Sequence, residues 1–161
     1  MKSKFKAMVL SCMDPRFQFP VFKFMKKKNL IGKHSSFTIA GSAVGVTHSK
    51  FKKWHQPFLD NLSTSIKLHK IEKLIVVNHE DCGAIKLAEN KKDYIEKDIH
   101  HNSFRKLEKK INKKFPKLKL EFYIIKLNQK MIIIFIIIIQ TITDILWKLN
   151  KNSINIIQIM K

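Results

Sequence analysis

The chain has 161 residues, enough for one domain with its own hydrophobic core, and only two cysteines, which excludes a disulfide-built scaffold. Its formal net charge of +20 comes almost entirely from lysine, because only Arg16 and Arg105 are arginines among 32 basic residues. Specific recognition of nucleic acid favours the planar guanidinium of arginine, so we predict nonspecific, salt-sensitive adhesion and no specific nucleic-acid partner.

The amino-terminal half alternates between strand and helix patterns. Residues 5–11 form an apolar run that predicts a buried strand, and residues 17–30 carry apolar positions at helical spacing before a lysine run. A short strand closed by a glycine is predicted at 36–41, and a helix at 49–69. Because the first apolar run is too short for a signal-peptide core, we predict a cytoplasmic protein with reduced thiols.

The pattern continues to about residue 127. Residues 73–77 are nearly all apolar, which is typical of a strand covered on both faces. Residues 83–115 have a helical pattern that Pro116 ends, and 119–127 form a further strand pattern. This alternation predicts an α/β fold in which a mostly parallel open sheet of four to five strands is flanked by helices.

The composition changes after Lys130 and becomes rich in isoleucine. Residues 131–139 read MIIIFIIII, which is too short to span a bilayer, so no membrane span is predicted. This segment is either an antiparallel edge strand, which we favour, or part of an aberrant tail. We therefore predict one domain over 1–139 and a tail over 140–161, which is either a weakly packed helix or disordered.

Three potential metal ligands follow two of the predicted strands. Cys12 comes directly after the first strand, and His79 and Cys82 come directly after the strand at 73–77. Sites in open parallel sheets form at the carboxyl ends of strands where the winding direction reverses, so the three side chains meet if these strands are neighbours. Two thiolates and an imidazole suit zinc and leave one position open. The alternatives are a redox pair or two inert thiols.

An acidic and a basic residue accompany the first cysteine. Arg16 lies two residues after Asp14, a loop spacing that allows a bidentate pair between guanidinium and carboxylate. Pro15 restricts Asp14 to extended geometry, which helps to fix the direction of the carboxylate. The alternative is a surface ion pair of little energetic value.

The remaining candidates receive structural interpretations. Gly83 is expected to let the backbone turn closely beneath a metal ion, and Asp81 either caps the following helix or faces water. His100 and His101 point about 100° apart on a helix and are expected on its solvated surface. Four aromatic residues are expected to serve core and dimer packing, namely Phe17, Phe19, Phe22 and Phe24.

The two motifs together carry a family resemblance. CMDPR at 12–16 and HEDCG at 79–83 are similar to the C-x-D-x-R and H-x-x-C-G motifs of the β-class carbonic anhydrases. TIAGSAVG at 38–45 stands where that family has a glycine-containing loop, and the resemblance extends over roughly residues 6–128. It looks closest to the short, compact members of the family.

The resemblance implies a zinc-dependent enzyme that hydrates CO2 reversibly to bicarbonate by a zinc-bound hydroxide. Cys12, His79 and Cys82 would be the zinc ligands, and Asp14 and Arg16 would be catalytic. Asp14 would either be the fourth ligand of a closed site or pair with Arg16 and leave that position to water. The family usually forms homodimers or higher homo-oligomers, so a homodimer is expected. The alternative function is a non-catalytic zinc-binding relative whose metal site is structural or regulatory.

Overall fold

A computed structural model of the chain describes residues 5–89, 93–128 and 131–136. Its strands are β1 (Ala7–Ser11), β2 (His34–Thr38), β3 (Lys73–His79), β4 (Lys119–Asn128) and β5 (Met131–Ile136). They form one sheet in the order β2-β1-β3-β4-β5, in which β1 to β4 are parallel and β5 is antiparallel to β4. The predicted α/β class is confirmed, as is the antiparallel edge strand over 131–136. The predicted tail at 140–161 lies outside the described residues.

One of the predicted helices is divided in two. Within the described ranges, the helices are α1 (Pro15–Lys27), α2 (His55–His69), which a 3-10 helix at Ser49–Trp54 precedes, α3 (Gly83–Ala88) and α4 (Glu96–Lys114). The prediction of a single helix over 83–115 was wrong, because the backbone leaves helical geometry at Glu89. Leu87 and Ile95 continue the apolar pattern in the sequence but are 63% and 66% exposed. None of these described helices has the length and apolar character needed to cross a bilayer.

Helices cover both faces of the sheet. On one face, α1 contributes to an apolar cluster that contains Phe17, Phe24, Val9, Ile75 and Tyr123. On the other face, α2 and α4 contribute to a larger cluster that contains Phe58, Leu62, Phe104, Leu107, Leu10 and Val76. Strand β3 is buried from its second residue to its end, as its continuous apolar run predicted.

The four phenylalanines of α1 divide into two pairs. Phe17 and Phe24 are buried in the core, which confirms the expected packing for these two residues. Phe19 and Phe22 are instead 57% and 50% exposed, because they lie on the side of α1 that faces away from the sheet.

The winding of the sheet brings the two motifs to one edge. From β1 the chain passes to β2 on one side, and the next strand, β3, lies on the other side of β1. In the parallel pairing of β1 with β3, Ser11 is the partner of Val77, so both strands end at the same level. The condition for the predicted site, that these two strands are neighbours, is therefore met. We call this end of the sheet the carboxyl edge, and it is the switch point at which such sheets form their sites.

Candidate metal centre

Cys12, His79 and Cys82 lie together at the carboxyl edge. One ligand atom from each side chain lies within 4.8 Å of the other two, and all three side chains are buried. Two sulfur atoms and an imidazole nitrogen form a donor set that zinc prefers, so the group could hold a metal ion. In the part of the chain that the structure describes, no other group of three His, Cys, Asp or Glu side chains is placed in this way.

The imidazole of His79 presents one nitrogen to this group. Its Nδ1 lies 2.8 Å from the Glu80 carbonyl oxygen. Because a carbonyl only accepts, Nδ1 carries a proton, so in the neutral ring Nε2 has the lone pair. The ring of Phe17 stacks on the imidazole with centroids 3.9 Å apart, which fixes the ring plane. Nε2 is buried without a hydrogen-bond partner among the described residues, a costly state for a polar atom that a metal ion would relieve.

The two thiols favour one thiolate between them. Contact with Cys82 lowers the pKa of Cys12 to about 4, although burial opposes this ionisation. The backbone N–H of Gly41 also donates a hydrogen bond to Cys12 Sγ at 3.3 Å. The contact with Cys12 and the burial of the side chain both raise the pKa of Cys82. Because one thiolate suppresses the ionisation of the other, a bound cation would let both act as thiolates and would release a proton.

The glycine-containing loop after β2 closes over Cys12. Gly41 has a φ of +78°, and a Cβ there would lie 2.9 Å from the Cβ of Ala84. A Cβ at Gly45 would lie only 2.1 Å from the carbonyl oxygen of Ala40. A Cβ at Gly83, in contrast, would meet no atom of the described residues within 4 Å, and Gly83 does not have a positive φ. The close backbone packing of this edge therefore lies at Gly41 and Gly45, and the expected approach of Gly83 to a metal ion stays a prediction.

Asp14 and Arg16 form the predicted bidentate pair. Nε of Arg16 donates to Oδ1 of Asp14 at 3.1 Å and to Oδ2 at 3.2 Å, and Nη2 donates to Oδ2 at 2.7 Å. The Arg16 backbone N–H also donates to Oδ1 at 3.0 Å, so Asp14 caps α1 while Pro15 occupies its first position. These contacts with Arg16 lower the pKa of Asp14 although burial opposes the ionised form. One carboxylate thus both caps the helix and pairs with Arg16.

Arg16 also joins the two motif loops. Its Nη1 donates to Oδ2 of Asp81 at 2.9 Å, and its Nη2 donates to the Asp81 carbonyl oxygen at 3.1 Å. Asp81 has a φ of +56° and does not cap α3, whose N-cap position is Cys82. Its side chain is exposed, and hydrogen bonds from Lys86 and Arg16 lower its pKa to about 2. The arginine therefore ties the loop of Cys12 to the loop of Cys82.

Comparison with known protein families agrees with this geometry. Residues 1–134 match the model of a family described as "Putative carbonic anhydrase". The chain belongs to this family. The resemblance seen in the two motifs is thereby confirmed over most of the chain.

Relatives of this carbonic-anhydrase-like chain occur in rickettsiae. An uncharacterized protein of Rickettsia bellii (strain RML369-C) is 28% identical over 125 residues, which cover 75% of this chain and 76% of the relative. An uncharacterized protein of Rickettsia conorii (strain Malish 7) is 24% identical over 125 residues, which cover 75% of this chain and 67% of the relative. A solved carbonic anhydrase from Glaciozyma antarctica is 16% identical with a TM-score of 0.50, covers 82% of each chain and shows the fold.

One carboxylate outside the two motifs of this carbonic-anhydrase-like chain contacts the loop that contains Asp81 and Cys82. Glu96, the first residue of α4, accepts hydrogen bonds from the backbone N–H groups of Asp81 at 3.1 Å and Cys82 at 2.9 Å. Burial opposes its ionisation, but the neighbouring His100 and these two N–H groups lower the pKa of Glu96 to about 2. In the sequence Glu96 resembles any acidic residue at a helix start.

His100 was wrongly expected on a solvated helix surface. It is 2% exposed, whereas His101 is half-buried. The reason is helical spacing, because His100 lies four and seven residues before Phe104 and Leu107, which belong to the core. That spacing is visible in the sequence and could have placed His100 on the buried face.

Proposed function

We propose that this chain is a zinc-dependent carbonic anhydrase that hydrates CO2 reversibly to bicarbonate. The observation that carries the proposal is the convergence of Cys12, His79 and Cys82, with Nε2 of His79 buried and unpartnered within the described residues. Membership of the carbonic-anhydrase-like family supports the same reaction. Zinc is the proposed cofactor because two thiolates and an imidazole match its ligand preference.

The residues around the proposed site would have different roles in binding the metal and orienting the attacking water. A zinc ion held by the three side chains would supply the Lewis acidity that makes water nucleophilic near neutral pH. Asp14 would accept a hydrogen bond from the attacking water and so direct its lone pair at CO2. Arg16 holds both oxygens of Asp14 and keeps its pKa low, so the carboxylate remains an acceptor at neutral pH.

The pairing of Asp14 bears on the choice between an open and a closed centre. Both carboxylate oxygens of Asp14 accept hydrogen bonds from Arg16, which itself is anchored by Asp81. A carboxylate held in this way is less free to become a fourth metal ligand. We therefore favour the open arrangement, in which Asp14 is a catalytic residue and the fourth position belongs to water.

The direct test is stopped-flow CO2 hydration by the zinc-loaded protein from about pH 6.5 to about pH 9. We expect hydration that rises with pH through one ionisation, and none from Cys82→Ala prepared identically. Zinc bound at one equivalent without hydration at any pH would contradict the enzyme assignment. The alternative of a non-catalytic zinc-binding relative would then be the better function.

A homodimer is the proposed assembly. Phe19 and Phe22 are half exposed on α1, and Met13, beside Cys12, is 62% exposed. Exposed apolar side chains that lie close together on a surface are typical of protein interfaces. Sedimentation velocity at several concentrations should show a dimer that Phe22→Glu dissociates. A monomer across the whole concentration range would contradict this proposal.

A cytoplasmic location is proposed on chemical grounds. The two sulfur atoms lie within 4.8 Å of one another, and an oxidising compartment would favour their conversion to a disulfide. Metal binding requires both thiols to be reduced. Cell fractionation should find the protein with cytoplasmic markers, and recovery from an exported fraction would contradict the proposal.

A further inference from the structure

Three polar side chains that are not proposed ligands lie next to the metal centre, namely Glu96, His100 and Asn78. Glu96 accepts the backbone N–H groups of Asp81 and Cys82, and its Oε1 lies 3.6 Å from Nε2 of His100. On the other ring nitrogen, Nδ1 of His100 lies 2.9 Å from Nδ2 of Asn78, the residue before His79. His100 and Asn78 are both almost fully buried.

These polar contacts continue to the loop that covers Cys12. Oδ1 of Asn78 accepts a hydrogen bond from the Ala43 backbone N–H at 3.1 Å. Two residues earlier in the same loop, the Gly41 N–H donates to Cys12 Sγ at 3.3 Å. A series of polar contacts therefore connects the backbone of Cys82 with the sulfur of Cys12. It passes through three side chains and the backbone of the loop at 41–43, and it does not require a metal ion.

Glu96 supplies acceptors to the turn that leads into α3. Helix α3 begins at Gly83, and Cys82 is its N-cap. Buried backbone N–H groups need acceptors, and Glu96 provides one oxygen to the N–H of Asp81 and one to the N–H of Cys82, the two residues that precede the helix. Its carboxylate thus turns to a loop 14 and 15 residues earlier in the chain. A capping role within α4 alone would not explain these contacts.

We propose that Glu96 is a positioning residue of the metal centre, which fixes the Asp81–Cys82 backbone so that Cys82 Sγ stays beside Cys12 and His79. The buried His100 ring, with Nε2 at 3.6 Å from Glu96 Oε1, lies beside this carboxylate and limits its movement by packing. This inference rests on the proposed zinc function, because positioning has a consequence only if the three side chains bind a metal. Outer partners that orient metal ligands typically change metal affinity by about 10- to 100-fold when they are removed.

The test compares Glu96→Gln with Asp98→Asn in a competition for zinc against a chromophoric chelator. Asp98 is an exposed carboxylate in the same first turn of α4, so the control loses the same charge without losing the loop contacts. We expect Glu96→Gln to weaken zinc binding by about 10- to 100-fold and Asp98→Asn by less than about twofold. The cobalt-loaded Glu96→Gln variant should also show altered thiolate-to-metal absorption bands, which loss of stability alone would not produce.

A double-mutant cycle separates Glu96 from His100. If His100 acts through Glu96, His100→Gln weakens zinc binding by itself but adds nothing to Glu96→Gln. Independent, additive losses would overturn that part of the inference. Zinc binding by Glu96→Gln within twofold of wild type would overturn all of it, even if the melting temperature of the metal-free protein fell. A wild-type protein that binds no zinc would instead refute the proposed function, and the inference with it.

Discussion

The two ends of the sheet bury ionisable groups in opposite ways. At the amino end, Glu121 accepts hydrogen bonds from Lys28 at 2.7 Å, Lys73 at 2.6 Å and the Tyr123 hydroxyl at 2.6 Å. At the carboxyl edge, contact between the two thiols lowers the pKa of Cys12 and raises that of Cys82, so only one of them ionises readily. Nε2 of His79 has no hydrogen-bond partner among the described residues. Full or partial burial is common to both ends, so it does not identify a binding site. The convergence of three ligand atoms, one of them an unpartnered nitrogen within the described residues, does.

This contrast predicts that substitutions at the two ends have separable effects. A change of a proposed ligand or of Asp14 should alter metal binding or turnover with little effect on the metal-free fold. A change in the cluster of Glu121, Lys28, Lys73 and Tyr123 should lower stability and leave the zinc affinity of the folded protein unchanged. A single substitution of either kind that alters both properties strongly would break the comparison.

The largest effect is expected from Cys82→Ala. Loss of a ligand should weaken zinc binding by more than about 100-fold, beyond the usual cost of losing an outer partner. The free energy of unfolding of the metal-free protein should change by less than about 1.5 kcal/mol, because only one sulfur atom is removed. Zinc content after dialysis gives the result, with Met13→Ala as the control beside the other cysteine. One equivalent of zinc in Cys82→Ala would refute the ligand assignment.

Asp14→Asn should separate turnover from metal binding. Asparagine caps helices about as well as aspartate, so α1 and the zinc affinity should be preserved. Loss of the carboxylate should lower CO2 hydration by about 100-fold or more, the usual range for a general acid–base group. Asp60→Asn, which removes a carboxylate exposed on α2, provides the control. Unchanged turnover in Asp14→Asn would show that Asp14 does not orient the nucleophile.

At the opposite end, Glu121→Gln should lower stability. It leaves the charges of Lys28 and Lys73 without their buried partner, but these side chains are 22% and 30% exposed and can reach water. We therefore expect a loss of about 2 kcal/mol in urea denaturation, below the full cost of breaking a buried pair. The exposed pair of Glu72 with Lys6 is the comparison, and Glu72→Gln should cost less than about 0.5 kcal/mol. Equal losses would show that burial of Glu121 adds nothing.

The same carboxylate predicts a dependence of stability on pH. Burial opposes ionisation of Glu121, yet hydrogen bonds from Lys28, Lys73 and Tyr123 lower its pKa to about 2. In the unfolded chain a glutamate has a pKa of about 4.3, so its contribution is fully present above that pH and is lost as the pH falls toward 2. Urea denaturation of the metal-free protein at several values between about pH 5 and about pH 2 gives the free energy of unfolding as a function of pH. This free energy should fall less steeply with decreasing pH for Glu121→Gln than for wild type. Identical slopes would exclude this contribution.

The smallest effect is expected at Gly83. A Cβ there would meet no atom within 4 Å, so Gly83→Ala should stabilise the metal-free protein by about 0.5 kcal/mol through the unfolded state. Gly45→Ala is the contrasting variant, because its Cβ would overlap the Ala40 carbonyl oxygen. Thermal melting of both variants compares them. A large destabilisation by Gly83→Ala would mean that the space at the carboxyl edge is more restricted than the structure shows.

Sequence patterns predicted the features of this molecule that follow from periodicity, spacing and strand order. The strands and the pairing of Asp14 with Arg16 were predicted from local pattern and spacing, and the meeting of Cys12 with His79 and Cys82 from the rule that parallel strands end at one edge of a sheet. The interruption between α3 and α4 was not, because the apolar pattern continues through side chains that the fold exposes. No local pattern distinguishes an acidic residue that meets a loop 14 residues earlier from one that faces water.

Only paired strands can create the proposed centre. Arg16 meets Asp81 across 65 residues of sequence, and Cys12 is still further from Cys82 along the chain. No peptide shorter than residues 12–82 contains the three ligands, and the pairing of β1 with β3 brings them together. A cation held there would close a long loop and favour the folded chain over the unfolded one, as other native-state ligands do. The stability of the fold would then rise with the concentration of free metal.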